Sequence, residues 1–580
     1  MPSEGRPGAW TGPARFGPLA LAVLMLAAAF PPDIHPVSRG MVAVLLAVAL
    51  MLLLKPVPDG SRRRPTVPTL VFLPFAALAV ASAPCASRAL DESAWVVLLG
   101  VTFALGSALR HQPETRRYLL RALIAVGALV AVQAILQHHL LYGMQAEALS
   151  AQVPEASAAL LFRLRAGRPS GPFSLPAGLG GFLALSLPAT LVACRRQGRG
   201  FIRPALMAVA LLQLYALLLT QSFGALLATV AGVAIVLPLL VRDGKRRRNA
   251  GLAILGMLLL GVGGLLAARR GEFTGDPGGG PLAMRAGNWS AAARMIADRP
   301  LFGTGPGSFG TAYTRYIRQG MNETRYAHNS YLQAAAGWGI WILFPMGLFL
   351  AGRGRDIAAA RRTVDERLVL LGGGAAFLLH NLVDFTAYLP GIAIPALLLL
   401  GAGRPDRGDA PADRADAGLY AGPRGSAGRR ARTLRGLLAA AGVTGALLLA
   451  GHEAVAARVD LLLERAAALA AAGKIDGAVA TVGRAAGLRR YDPRPRAFLA
   501  QLVLRDGMTD DALRIEGARA ARAAVRLDPD AAILHYTLAG YELAAGALSE
   551  AYREVETAHR LYPLKPLYRE ALARHAGEEP

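Results

Sequence analysis

The apolar positions of this chain run in long unbroken blocks instead of recurring at the period of an amphipathic helix or strand. Residues 41–54, 205–220 and 225–241 carry no charged side chain. A helix in water needs a wet face, and blocks of this length leave none, so hydrocarbon is the expected solvent. They are rich in Ala and Leu with scattered Gly, which suits helices packed through small residues, and the short alternating segments of a β-barrel are missing. Spans are predicted at about 17–31, 39–54, 68–83, 93–109, 118–140, 176–194, 204–221, 223–241, 250–267, 329–350, 366–383, 387–402 and 433–451, roughly twelve or thirteen in all. The first lacks a clear small-x-small cleavage site and is kept as a span instead of a removed signal.

Charge tests this count. Alternate connections are basic: Arg62, Arg63 and Arg64; Arg110, Arg116 and Arg117; Arg195, Arg196 and Arg199; Arg242 and Lys245 to Arg248; Arg353, Arg355, Arg361 and Arg362; and the stretch 403–435. The connections between them carry few Lys or Arg. The positive-inside rule puts all the basic ones in the cytoplasm, with the N-terminus inside and 141–175, 268–328 and everything after 451 outside. This is the topology expected of a polytopic inner-membrane protein. It also accounts for the net charge of +24 in 580 residues without nucleic acid, because the charge is not gathered on one module with interleaved aromatics. The two cysteines, Cys85 and Cys194, fall at opposite faces, which disfavours both a disulfide and a zinc site.

Two segments differ from the rest. Residues 403–432 are rich in Ala, Gly, Arg, Asp and Pro, and read as a disordered cytoplasmic linker before the last span. Residues 455–577 are Ala- and Arg-rich, amphipathic and too charged for lipid. Gly473 and Gly507 are 34 residues apart, as are Pro529 and Pro563, and Asp492-Pro493 and Asp528-Pro529 punctuate helices alike. With the small and large positions of Tyr541 to Pro563, this resembles about three degenerate tetratricopeptide repeats, the alternative being a generic helical bundle. Either form is expected to bind a partner. The expected fold class is therefore all-α, a polytopic membrane helix bundle over 1–402 and 433–451 followed by a tetratricopeptide-like α-solenoid.

Chemistry is expected where polar residues gather at the mouth of the spans. Arg168 precedes the span at 176, in GRPSGPFSLP. It is either a solvated loop residue or an arginine placed for an anionic headgroup, since a guanidinium fork donates two parallel hydrogen bonds to phosphate. The outer loop 268–328 is too long for a mere connection. It holds a helical stretch, Leu282 to Asp298, with Arg285 and Trp289. The turn Gly303-Thr304-Gly305-Pro306-Gly307 follows; it lacks the strand and the Lys-Ser/Thr of a phosphate loop. The loop ends in Ala327-His328-Asn329-Ser330. His328 is either a helix-start residue or a base that takes a proton from a hydroxyl at neutral pH. Finally, His380, Asn381 and Asp384 share a tight turn between two apolar spans. Asp384 would cost roughly 2.5–3.5 kcal/mol in hydrocarbon, so it should have a partner, as an ion pair, a cap or an orienting group for His328 or a substrate-binding arginine. No serine or cysteine nucleophile motif, no HExxH and no aspartate-rich motif appears, which argues against nucleotide-sugar or metal-dependent chemistry.

Taken together, RPSGPFSLP at 168–176, LLLTQSFGALLA at 217–228, MRAGNWSAAARMIADRPLFGTGPGSF at 284–309, AHNSYLQAAAGWG at 327–339 and LLHNLVDFTAYLPG at 378–391 resemble the O-antigen ligase and polymerase superfamily of bacterial envelopes, over roughly 165–400. Members of that superfamily also carry repeat domains after the last span. The resemblance implies a glycosyltransferase that moves a glycan from undecaprenyl diphosphate to an acceptor hydroxyl outside the membrane, such as lipid A core or a growing glycan, with no metal or other cofactor. It implies His328 as the catalytic residue activating the acceptor. Arg285 and Arg168 would hold the diphosphate, and Asn329, His380 and Asp384 would contribute to substrate binding. The chain departs from the family in having Ser222-Phe223-Gly224 where Ser-Arg-Gly is usual and Pro176-Ala177 where Pro-Asn is usual. A ligase, a polymerase, a non-catalytic scaffold that recruits periplasmic proteins and a transporter are the readings carried forward; the nearly charge-free spans disfavour the last.

Overall fold

The computed structural model describes residues 67–110, 112–145, 147, 167–198, 200–241, 243–253, 256, 281–404, 426–506 and 510–576. The spans expected at 17–31 and 39–54, nearly all of 250–267, and most of the linker 403–432 lie outside the described residues. Among the described residues every regular element is helical, with no strand.

The membrane part contains α1 (Val67–Ala81), α2 (Ala86–Leu109), α3 (Pro113–Leu136), α4 (Pro176–Arg196), α5 (Ile202–Leu219) and α6 (Phe223–Leu240). Five helices, starting at Ala86, Pro113, Pro176, Ile202 and Phe223, are long and apolar enough to cross a membrane. Pro113 and Pro176 open their helices, where a missing N–H costs nothing. Burial sorts the helices by place. Every residue of α4 from Gly178 to Thr190 is buried, as is all of α12 (Pro390–Ala402), whereas α5 exposes Met207, Leu211, Leu214 and Leu218. A helix apolar on all sides and buried on all sides is central, and one that exposes leucines in this setting faces lipid.

The segment expected as one span at 329–350 is interrupted. α9 (Ser330–Trp338) ends at Gly339, a short 3-10 turn covers Ile340–Ile342, and α10 (Leu343–Thr363) restarts the chain. Gly339 has φ 98°, and a Cβ there would stand 2.1 Å from the Leu301 carbonyl oxygen. The backbone turns where the outer loop leans on it, which a hydropathy reading cannot register. α10 is followed by α11 (Arg367–His380) and then α12.

The connections expected on one side do meet in space. Arg196 pairs with Glu366 at 2.6 Å, and Arg404 donates to Ser107 Oγ at 3.4 Å. At the other end the turns around 83–88, 220–224, 303–307 and 380–388 converge.

The described part of the loop expected outside the membrane folds as α7 (Pro281–Asp298), a glycine turn and the single-turn α8 (Phe309–Tyr313). The last expected span and the following module are joined without a break by α13 (Ser426–Ala471), 46 residues long and thus about 69 Å. α14 (Ile475–Leu488), α15 (Pro493–Asp506), α16 (Asp511–Leu527), α17 (Ala532–Ala544), α18 (Leu548–Leu561) and α19 (Pro566–Ala576) follow, each packed on the next. The two Asp-Pro pairs serve different ends. Asp492 accepts from the Arg494 backbone N–H and opens α15, while Asp528 follows the last turn of α16 and gives its carboxylate to Arg88 of α2.

Candidate active site

Asp384 is the centre of the polar cluster at the mouth. It sits in the turn after α11, 2% exposed, and its Oδ1 accepts its neighbour's N–H, Phe385, at 2.8 Å. Three basic groups face it from three elements: Arg285 of α7 (Nη2 to Oδ2, 3.5 Å), His328 at the end of the loop (Nδ1 to Oδ1, 3.7 Å) and His380 at the end of α11 (Nε2 to Oδ2, 3.9 Å). Burial on its own raises a carboxyl, but His328, His380 and Arg285 outweigh it and bring Asp384 down from 3.8 to about 2. The group expected to need a partner has three. His380 is 1% exposed, with neither ring nitrogen within hydrogen-bond distance of a protein partner.

His328 has a left-handed backbone, φ 52°, which costs a bulky side chain of order 1 kcal/mol or more and persists only where the surroundings enforce it. They do so from both sides. Upstream, Ala327 N–H donates to Gln333 Oε1 at 2.7 Å. At His328 itself the carbonyl accepts from Trp289 Nε1 at 3.2 Å. Downstream, Asn329 caps α9, its Oδ1 accepting from the N–H groups of Tyr331 and Leu332, both at 3.0 Å. Ser330 is bolted to the neighbouring turn. Its N–H donates to the carbonyls of Asn381 and Asp384, and its Oγ donates to Asn381 Oδ1 at 2.5 Å. The turn from 327 to 330 is thus held against the 381–387 turn, and the imidazole is left edge-on to Phe385, ring centres 5.0 Å apart. Tyr326 stacks on Phe385 as well: its ring lies 4.2 Å away with the planes 5° apart, and 5.7 Å from Tyr388.

Of the residues expected from sequence, Arg285, His328, His380 and Asp384 therefore come together. Asn329 stands beside them with its side-chain oxygen engaged as a helix cap. Arg168 joins indirectly: its Nε donates to the Thr220 carbonyl at 3.0 Å, at the head of the turn that leads to Gly224, and a Cβ on Gly224 would lie 3.3 Å from the His380 ring. Phe223, where the sequence resemblance leads one to expect an arginine, opens α6 in that turn, with Ser222 as its cap.

Sequence reasoning passed over Ser330, Phe385 and Tyr388. Ser330 and Tyr388 also line an apolar cavity of about 880 Å³ that opens beside the cluster, walled by α1, α2, α9, the 3-10 turn and α10 through Val80, Trp95, Trp338, Trp341 and Met346. The aromatic residues flanking His328 and Asp384 in sequence were the available signal. The cavity left none, because its walls come from four separated segments.

No curated protein and no solved structure was found to match the chain. Residues 208–346, from the middle of α5 to the start of α10 and including Arg285, His328 and Asn329, match the protein family described as O-antigen ligase, which supports a role of the O-antigen ligase or polymerase kind in envelope polysaccharide synthesis by a multi-pass membrane protein.

Proposed function

We propose that the chain transfers a glycan from a polyprenyl diphosphate to an acceptor hydroxyl at the outer face of the bacterial inner membrane, as an O-antigen ligase or as a polymerase of the same superfamily. The observation that carries this reading is the convergence of Arg285, His328 and His380 on buried Asp384 beside the large apolar cavity. The cavity offers a place for the isoprenoid chain, and the polar cluster lies where its diphosphate head would emerge.

In this reading the acceptor oxygen attacks the anomeric carbon and a new C–O bond forms. The bond from that carbon to the diphosphate oxygen breaks, and undecaprenyl diphosphate leaves with the electron pair. The acceptor's proton goes to His328, whose Nδ1 faces Asp384, leaving Nε2 for the hydroxyl. The Asp384 carboxylate holds the ring in place and favours the imidazolium once it forms. Arg285 supplies the positive charge that the leaving diphosphate needs in a site shielded from water, with Arg168 further along the rim; no metal enters the scheme. The positive-inside pattern orients this mouth outward, and the C-terminal module, read as tetratricopeptide-like repeats, stands on the same side.

Phe223 favours a second reading, a non-catalytic scaffold that recruits periplasmic partners, because the usual family arginine is missing from the turn that packs on His380. One assay separates the two. Purified protein in liposomes is given a lipid-linked oligosaccharide and a panel of acceptors, and release of undecaprenyl diphosphate is followed. Acceptor-dependent release that drops on the order of 10²–10⁴-fold in His328→Ala is expected. A variant as fast as the natural protein removes His328 from the role of base, and silence with every acceptor moves the weight to the scaffold.

A further inference from the structure

The outer loop does not close its own core. Ala291, Ala292 and Met295 of α7, Phe309, Ala312 and Tyr313 of α8, and Ile317 and Ala327 form one buried cluster with Ala532, Ala558, Leu561, Tyr562 and Tyr568 of the C-terminal module. Without the module this apolar face would meet water. Polar contacts frame the seam. Arg315 of the loop pairs with Asp530, and Arg88 of α2 pairs with Asp528, which is 1% exposed. Glu323 accepts from Tyr562 Oη at 2.6 Å and from Lys565 Nζ at 3.0 Å, and Thr314 Oγ1 donates to the Leu561 carbonyl at 2.9 Å. Further along α2, Asp91 takes both His452 (2.7 Å) and Arg489 (2.6 Å). The module is anchored on the membrane part as well as on the loop.

The clamped segment is tied in turn to the polar cluster. Tyr313 Oη lies 2.8 Å from Asn288 Oδ1 of α7 and 3.0 Å from the Asn322 carbonyl, and Arg294 of α7 donates to the Tyr316 carbonyl at 2.6 Å. α7 carries Arg285 toward Asp384 and holds the His328 carbonyl through Trp289. A path of packed and hydrogen-bonded groups therefore runs from α17–α19 through α8 and α7 to Arg285 and His328.

We propose that the C-terminal module is an intramolecular clamp that holds the outer loop in its working position over Asp384, with Asp530, Arg315, Glu323 and Tyr562 as positioning residues. The surface of the module facing the loop is then committed to this chain, and any external partner must use another face. The membrane bundle alone sets Asp384 and His380, whereas Arg285 and His328 reach them only while the loop is clamped.

A charge exchange on the full chain in nanodiscs tests this. Arg315→Asp and Asp530→Arg are made singly and together, and hydrogen exchange of residues 285–330 is measured. Each single variant is expected to speed exchange there roughly tenfold, and the double variant to return it near the natural rate. Natural exchange in both single variants, or a double variant as loose as the singles, overturns the clamp. Tyr562→Phe, which deletes one hydroxyl and leaves the ring packing in place, guards against a folding failure of the charge variants. It should loosen exchange around Glu323, and unchanged exchange there also counts against the proposal. The kinetic arm rests on the transferase reading. The single variants should lower kcat roughly tenfold with little change in the donor KM, since misplacement acts on alignment and not on lipid binding. If the natural protein shows no turnover, the transferase reading falls and the exchange arm alone decides the clamp.

Discussion

The membrane bundle and the module outside it hold together by opposite means. In the bundle, backbones touch. A Cβ on Gly401 of α12 would stand 2.5 Å from the Phe103 carbonyl oxygen of α2, and one on Gly106 would stand 2.5 Å from the Leu398 carbonyl oxygen, so each helix of this crossing presents a glycine to the other. Lipid is as apolar as leucine and offers no hydrophobic drive between helices, so close packing must supply the attraction. In the module, alanines fill the helix contacts, and charge sets the docking: Arg494 of α15 reaches Asp460 of α13 at 2.6 Å, and Arg88, Arg315 and Arg489 each reach an acid across an interface. There, water is the alternative environment, and burying alanine and leucine is favourable in itself. The candidate active site lies where the two modes meet, with Asp384 and His380 on the bundle and Arg285 and His328 on the loop that the module covers.

The comparison breaks most visibly at Gly401. Gly401→Ala forces a methyl into backbone on the α2–α12 crossing and should cost roughly 1–3 kcal/mol, read as a lower melting temperature of the membrane part. A neutral result would mean that the crossing is not closely packed. The same substitution in the module sharpens the contrast by changing sign. Gly483, inside α14, has no atom near a Cβ, so Gly483→Ala should stabilise the module by about 0.5–1 kcal/mol in denaturant unfolding. A loss there would mean that the face is occupied.

The smallest effect is that of pH on the module. Burial lowers the pKa of His535, but Glu554 at 2.6 Å from Nδ1 and the Pro529 carbonyl at 2.9 Å from Nε2 both favour the imidazolium, and the net shift is upward from 6.5. A histidine whose folded pKa is raised lends stability that is fully present below its unfolded pKa and is lost as pH rises through the folded one. Local opening of α17, followed by hydrogen exchange from mildly acid to alkaline pH, should therefore become easier as pH rises, and His535→Gln should flatten the trend. An unchanged slope in that variant would assign the pH dependence elsewhere.

The sequence made the membrane class readable because hydropathy is a local sum: uncharged blocks show themselves without knowledge of their neighbours. The mouth was legible for a related reason. His380, Asn381 and Asp384 interrupt apolar sequence, and an interruption that costs free energy points to a use. The break at Gly339 was not legible, because its cause is the Leu301 carbonyl, 38 residues away in the chain. Nor was the continuity of α13, which runs through the boundary between the expected last span and the expected module. The motif Asp-Pro, read alike at 492 and 528, shows the limit at single-residue scale. Which partner each carboxylate takes is decided by what stands opposite, Arg494 in one case and Arg88 in the other.

What the sequence by itself determined is the multi-pass membrane character, the all-helical class of the described residues and the kinds of group available at the polar mouth, since burial cost, helix propensity and charge are properties of the residues themselves. Only the tertiary structure decided that Arg285, His328 and His380 surround Asp384, that a cavity opens beside them, and that the module closes the loop's core. His380 stands only four residues from Asp384, but Arg285 and His328 reach it, and Arg88 reaches Asp528, across about 50 to 440 residues of chain, and such meetings depend on how whole helices pack.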